Sequence, residues 1–279
     1  AGFVSDPWLK EARNKHQGER CFLLGSGPSL AAFDPERLKG EVVMSLNGAA
    51  QLDGLKSDYF LTVAHVWWTQ HVAWLENQDV GIRRFLPPYV DCRDGGIPTS
   101  RIRVASVDEA QIRGAQPPMS FSTDAAGLVF LGGSVVFPAL QILFHLGFEE
   151  VVMLGIDHSY GDAVQGAVPV SNLKHFKPDY YPGPACVHCD IPAMEHAYSM
   201  ALEAWNADGR RLVNATPGTQ LDIIPQVDLG TVLGEESAQR SPASGRSKKK
   251  ATTTGPKKPS RRKKSSSRSK TTTARKRTR

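Results

Sequence analysis

Short runs of β-branched and other apolar residues alternate with helical patterns along most of the chain, the habit of a parallel α/β sheet. Cys21-Phe22-Leu23-Leu24 predicts a first strand, Val42-Val43-Met44-Ser45-Leu46 a second, Tyr59 to Val63 a third and Arg84 to Leu86 a fourth. Asp91 to Pro118 is weakly patterned and reads as loop, with Ile102-Arg103-Val104 a candidate edge strand. Leu128 to Leu131 predicts another strand, Val135 to Leu146 a mostly apolar helix, and Val151 to Leu154 a strand ending at Gly155-Ile156-Asp157. From His158 to Ile191, glycine, proline, histidine and tyrosine occur without period, which predicts a long functional loop. Pro192 to Ala207 predicts a helix with proline at its start, and Arg211 to Val213 a last strand leading into Asn214. The expected fold class is α/β, a mostly parallel sheet with flanking helices.

Composition changes this picture at the C-terminus. The 279 residues carry a formal charge of +6, but Arg240 to Arg279 holds 17 Lys and Arg with no Asp or Glu, leaving the rest at −11. A segment so rich in Lys, Arg, Ser, Thr and Pro cannot bury enough apolar surface to offset its ordering entropy. The expected organisation is an N-terminal helical or linker segment over 1–19, an α/β domain over 20–232 and a disordered basic tail over 233–279. Such a tail binds polyanions non-specifically, whether nucleic acid or an anionic membrane surface.

Ala125 to Phe148 contains no charge and is long enough to span a bilayer. Gly132-Gly133-Ser134 and Pro138 interrupt it, so strand, turn and buried helix are expected instead of a transmembrane segment. Ala1 to Arg20 has no apolar core of signal-peptide length. The body is therefore expected to be soluble and cytoplasmic, with an anionic membrane surface as a place where the tail would hold it.

Three glycine turns carry the candidate chemistry. Gly25-Ser26-Gly27-Pro28-Ser29-Leu30 follows the first strand, and glycines there admit a phosphate close to the backbone, while a tight ligand-free turn explains them equally well. Gly132-Gly133-Ser134 stands between strand and helix, where Ser134 suits an N-cap or a second anion or sugar contact. Asp157, with Tyr160 close behind, falls at the C-terminal edge of the sheet, as do Asn47 and Asn214. The loop beyond holds Asn172, His175, Asp179, Tyr180, Tyr181 and Cys186-Val187-His188-Cys189. Histidine is the natural general base near neutral pH. Zinc at Cys186 and Cys189 would need a second ligand pair, and two reduced thiols are the favoured reading.

The glycine motifs, taken with Leu146-Gly147-Phe148 and Asn214-Ala215-Thr216, resemble the family named for 6-hydroxymethylpterin diphosphokinase (MptE-like), which includes motility-associated flagellin glycosyltransferases. The pattern is also similar to that of the family-42 bacterial sialyltransferases, and the resemblance covers roughly residues 20 to 225. It implies a Rossmann-like domain, a mostly parallel α/β sheet, that serves a nucleotide- or nucleotide-sugar-dependent transferase, with a glycosyltransferase as the leading expectation. The alternatives are an ATP-dependent pyrophosphokinase and a non-catalytic nucleotide-binding module. Ala64-His65-Val66 stands where acidic residues follow the third strand in the pterin enzymes, which weighs against magnesium-dependent pyrophosphoryl transfer. The resemblance implies His175 or His188 as base, with Tyr160 and Asp157 beside them. Donor contacts are expected from Gly25, Ser26, Gly27, Pro28, Ser29, Asn47, Gly132, Gly133, Ser134 and Asn214. No tightly bound cofactor or metal site is expected, magnesium being left open, with a nucleotide-sugar or ATP as co-substrate and a glycan or protein as acceptor.

Overall fold

The computed structural model describes residues 6–79, 81–105, 119–160, 165–169, 174–184 and 186–235, without the side chains of 165–169 and 186–188. The chain separates into two units, Ala1–Ser237 and Ala238–Arg279. The second, which contains the basic tail, lies outside the described residues, as do Asn172 and the side chains of Cys186 and His188.

A seven-stranded sheet organises the first unit: β1 (Arg20–Leu24), β2 (Val42–Leu46), β3 (Tyr59–Leu61), β4 (Arg83–Leu86), β5 (Thr99–Arg101), β8 (Glu150–Leu154) and β11 (Arg211–Asn214). Its order is β11-β8-β1-β2-β3-β4-β5, and every pairing is parallel. The fold is thus α/β with a parallel sheet. Successive residues of a strand face opposite sides. Cys21, Leu23, Met44, Val151 and Met153 enter one core, while Phe22, Leu24, Val43, Val152 and Leu154 enter another. Burial on both faces is why these strands read as continuous apolar runs.

The first face is covered by α4 (Val136–Leu146), buried at every position, and by α5 (Ile191–Ala207), together with α1 (Pro7–Glu11). Asp6 caps α1 by accepting from Leu9 N at 2.9 Å, and Asp190 caps α5 by accepting from Ala193 N at 3.1 Å. The second face departs from the expected alternation of strand and helix. After β1 and β2 the chain makes 3-10 turns at Pro28–Ala32, Pro35–Leu38 and Asn47–Gln51, and Leu30, Leu38 and Ala49 fill that core. After β3 come α2 (His65–Gln70) and α3 (Val72–Leu75), and α6 (Leu229–Leu233) closes the described body, with Glu235 paired to Arg37.

Three expectations need correction. The edge strand is Thr99–Arg101 instead of Ile102–Val104. The Leu128–Leu131 segment contributes β7 (Val129–Phe130), which among the described residues pairs with β6 (Val104–Ala105), outside the main sheet. On its other edge, Phe130 N donates to Gln141 Oε1 at 3.0 Å and Phe130 O accepts from Gln141 Nε2 at 2.8 Å. A buried side-chain amide thus takes the place of a neighbouring strand. Finally, the region read as one long loop contains β9 (Gln165–Pro169) and β10 (Cys186–Asp190), paired antiparallel.

Candidate functional site

In the strand order, β1 to β5 proceed to one side of β1, while β8 and β11 lie on the other. The loops leaving β1 and β8 therefore diverge from adjacent strands, and their C-terminal ends form the crevice where open α/β sheets bind ligands. A cavity of about 370 Å³ occupies that crevice, within the size range of small-ligand sites. Gly25 to Pro28 line it from β1, Asn47 from β2, Ala64 to Val66 from β3 and Gly155 to Tyr160 from β8. Gly133 and Ser134 before α4, Lys174, His175, Tyr181 and Cys189, and Met194 and Tyr198 of α5 complete the wall.

Most of the residues singled out from the sequence therefore meet at one place. Ser29, Gly132 and Asn214 stand behind it. Asn214 is buried, donating to Thr219 Oγ1 at 3.1 Å and accepting from Thr216 N at 3.1 Å. It braces the turn after β11 against Ile156 and Thr219. Gly132 adopts φ +55°, and a Cβ there would strike the Phe137 ring and lie 2.8 Å from Ala197 Cβ. Its glycine is explained by backbone conformation and packing.

The first glycine turn is packed against the protein's own carboxylate. Asp157 Oδ1 accepts from Ser29 N at 3.0 Å and Oδ2 accepts from Ser29 Oγ at 2.8 Å. Gly27 N donates to Gly155 O at 2.9 Å, and a Cβ on Gly27 would overlap Asp157 Oδ2. The turn leads into only five residues of 3-10 helix, not the α-helix expected to aim N–H groups at an anion.

Ser134 Oγ accepts from Val136 N at 3.2 Å and from the Tyr198 hydroxyl at 2.9 Å, but the N-cap of α4 is Val135, so Ser134 does not take the capping position expected of it. Two bonds accepted leave its own O–H to donate elsewhere. The Tyr160 hydroxyl touches Met194 Sδ at 3.8 Å, and burial raises its pKa, so the phenol stays protonated.

Two histidines on this wall have fixed tautomers. His175 Nδ1 lies 3.3 Å from Ser26 O, and a carbonyl only accepts, so Nδ1 carries the hydrogen. Its ring stacks on buried Tyr180, with centroids 3.8 Å apart and planes at 11°. Burial lowers its pKa to about 4, against a smaller opposing contribution from the Ser26 bond, so the ring is neutral at physiological pH. His158 was not among the site candidates read from sequence. Its Nε2 is 3.2 Å from Glu195 Oε1, its side chain is 4% exposed, and Nδ1 is buried with no partner among the described residues. It adopts φ +53°, a left-handed conformation that non-glycine residues seldom take and that clusters at functional positions. The sequence signal was present in Gly155-Ile156-Asp157-His158, but Glu195 lies 37 residues further on.

Among the described residues, no group of three or more His, Cys, Asp or Glu side chains is arranged to hold a metal ion. No helix among them is long and apolar enough to cross a membrane. No protein-family model matches the sequence, and no curated protein matches it. One solved structure similar to the chain is the sialyltransferase CstII from Campylobacter jejuni, determined with a substrate analogue, cytidine-5'-monophosphate. The two are 11% identical, with a TM-score of 0.41 over 75% of this chain and 85% of that one. So distant a likeness carries no argument about activity.

Proposed function

We propose that this chain is a nucleotide-dependent transferase, with a nucleotide-sugar as donor and a hydroxyl group as acceptor, in keeping with the MptE-like resemblance of its motifs. The observation that carries the reading is His158, paired with Glu195, in the wall of a switch-point cavity of small-ligand size. A carboxylate accepts only, so His158 Nε2 carries a hydrogen, and in the neutral ring Nδ1 offers its lone pair. An acceptor hydroxyl would donate to Nδ1. As its oxygen bonds the sugar carbon, the bond from that carbon to the nucleotide phosphate breaks and the proton passes to Nδ1. The electron pair leaves on the phosphate, and Glu195 stabilises the resulting imidazolium. Lys174 supplies a cation at the cavity, and the protonated Tyr160 and the free O–H of Ser134 supply donors to the departing phosphate.

Of the histidines expected as base, His175 keeps a neutral ring but a weak one, since burial lowers its pKa to about 4. His158 takes that role in the proposal. Asp157, held by Ser29, acts through the shape of the turn. The test is a thermal-shift panel of nucleotides on the full chain, followed by His158→Gln. Stabilisation by cytidine or uridine nucleotides, with turnover lost but binding kept in the variant, supports the reading. Stabilisation by ATP alone points to pyrophosphoryl transfer, and stabilisation by none contradicts nucleotide dependence.

A further inference from the structure

Besides His158 Nδ1, two acceptors on the cavity wall are buried without a donor among the described residues: Asn47 Oδ1 and His175 Nε2. Both are held in place by the surrounding structure. Asn47 ends β2 at φ +48°, which an Asn tolerates better than most residues, and is 8% exposed. The next residue, Gly48, donates its N–H to the Tyr180 hydroxyl at 3.0 Å, and Tyr180 in turn stacks flat on His175. One buried tyrosine thus connects the two acceptors. The Ser26 carbonyl fixes the His175 tautomer so that Nε2 has a lone pair and no hydrogen. A buried acceptor without a donor is costly, and neither atom can bond a phosphate oxygen, which has no hydrogen to give.

We propose that Asn47 and His175 form a donor-reading pair, accepting hydrogen bonds from N–H or O–H groups of the ligand's neutral part. The phosphate is thereby directed away from these two atoms, toward donors on the wall such as the Ser134 hydroxyl. The inference rests on the nucleotide reading above and deepens it, because it states which chemical face of the nucleotide the β2 end selects. The donors can come from the base or from the ribose, and the two sources are separable. Burial of His175, which holds it neutral, agrees with a recognition group.

The test is titration calorimetry on the full-length chain with the four ribonucleoside 5′-monophosphates. Each is offered as parent, as its base N-methylated derivative and as its 2′,3′-di-O-methyl derivative. For the nucleotide that binds, one methylated series is expected to lose at least about tenfold in affinity, the lower end of what one orphaned buried acceptor produces. A loss in the base series assigns the pair to the base, and a loss in the ribose series assigns it to the sugar. In His175→Phe or Asn47→Gly, the latter keeping the left-handed backbone accessible, the methylation penalty should shrink toward onefold. A merely structural role would weaken parent and methylated ligands alike. Methylated nucleotides that bind as well as their parents, or a penalty unchanged in both variants, overturn the pair while leaving the nucleotide reading intact. Absence of binding by every parent overturns that reading and the pair with it.

Discussion

Replacing Gly27 by alanine tests whether the first glycine turn is built around Asp157. The added Cβ would overlap Asp157 Oδ2 and lie 2.8 Å from Gly155 O, so the carboxylate must swing away. Its bonds to Ser29 N and Ser29 Oγ, at 3.0 and 2.8 Å, are then lost. Hydrogen bonds to a charged group contribute about 1.5–3 kcal/mol each, and Asp157 is partly exposed, so the lower end gives about 3 kcal/mol for the two. For a body of this size that corresponds to a fall in Tm of roughly 6–12 °C. The assay is urea unfolding of four proteins: wild type, Gly27→Ala, Asp157→Ala and the double variant. With the carboxylate gone, only the contact with Gly155 O remains, and the cost of the alanine should drop to about 1 kcal/mol. An equal cost in both backgrounds, or a Gly27→Ala protein as stable as wild type, would refute the reasoning. A direct phosphate role for Gly27 predicts instead lost nucleotide affinity with unchanged stability, the outcome expected from the turn motif alone.

Further outcomes follow from the same geometry. His158→Gln should lower turnover by roughly 10²–10⁴-fold with donor affinity retained, as removal of a general base does. Glu195→Gln should give a smaller loss in the same direction, and equal activity in all three proteins would remove the pair from the mechanism. Gln141→Leu leaves Phe130 N and O without partners and should destabilise the fold by about 2–4 kcal/mol, read by urea unfolding. The folded-state pKa of His175, about 4, lies below that of an exposed histidine, so the unfolded chain binds the extra proton between them. Stability should therefore fall as pH drops from about 6.5 toward 4, and His175→Phe should flatten that slope by as much as about 1.4 kcal/mol per pH unit. Identical slopes would contradict a buried neutral imidazole. Deleting residues 240–279 should abolish co-sedimentation with anionic vesicles and gel shifts with DNA together, since one counterion-release contribution underlies both. Sequence-selective DNA binding that persists at about 0.5 M salt would count against that account.

The sheet was legible because its strands are buried on both faces. Val42–Leu46 occupies the bounds its apolar run predicts, and Cys21–Leu24 and Val151–Leu154 each begin one residue earlier in the fold. The α4 helix was legible from its uncharged, mostly apolar run, and α5 from the proline at its start. What escaped is non-local. Nothing near Leu128–Leu131 shows that Gln141 serves one strand edge, which keeps β7 out of the main sheet. Gln165–Pro169 and Cys186–Asp190 have little apolar alternation, and their pairing crosses a long intervening segment. The candidate site was readable as a list of turn residues, although glycine, Asn and Asp at strand ends also build ligand-free turns. Its internal assignments were not readable. Asp157 meets Ser29 across 128 positions and His158 meets Glu195 across 37, and the proposed roles of base and brace rest on those pairings. His175, prominent in sequence, stacks on Tyr180 and binds Ser26, while His158 drew no notice beside Asp157.

The central claim is that the cavity beside His158 transfers a sugar from a nucleotide. It is tested most directly by following nucleotide release from a panel of nucleotide-sugars, with and without added hydroxyl acceptors, using wild type and His158→Gln. The account predicts release from one nucleotide class, accelerated by an acceptor and reduced at least a hundredfold in the variant, with binding of the nucleotide unchanged. Release that is equal in the two proteins, or turnover confined to ATP with AMP as product, would contradict it.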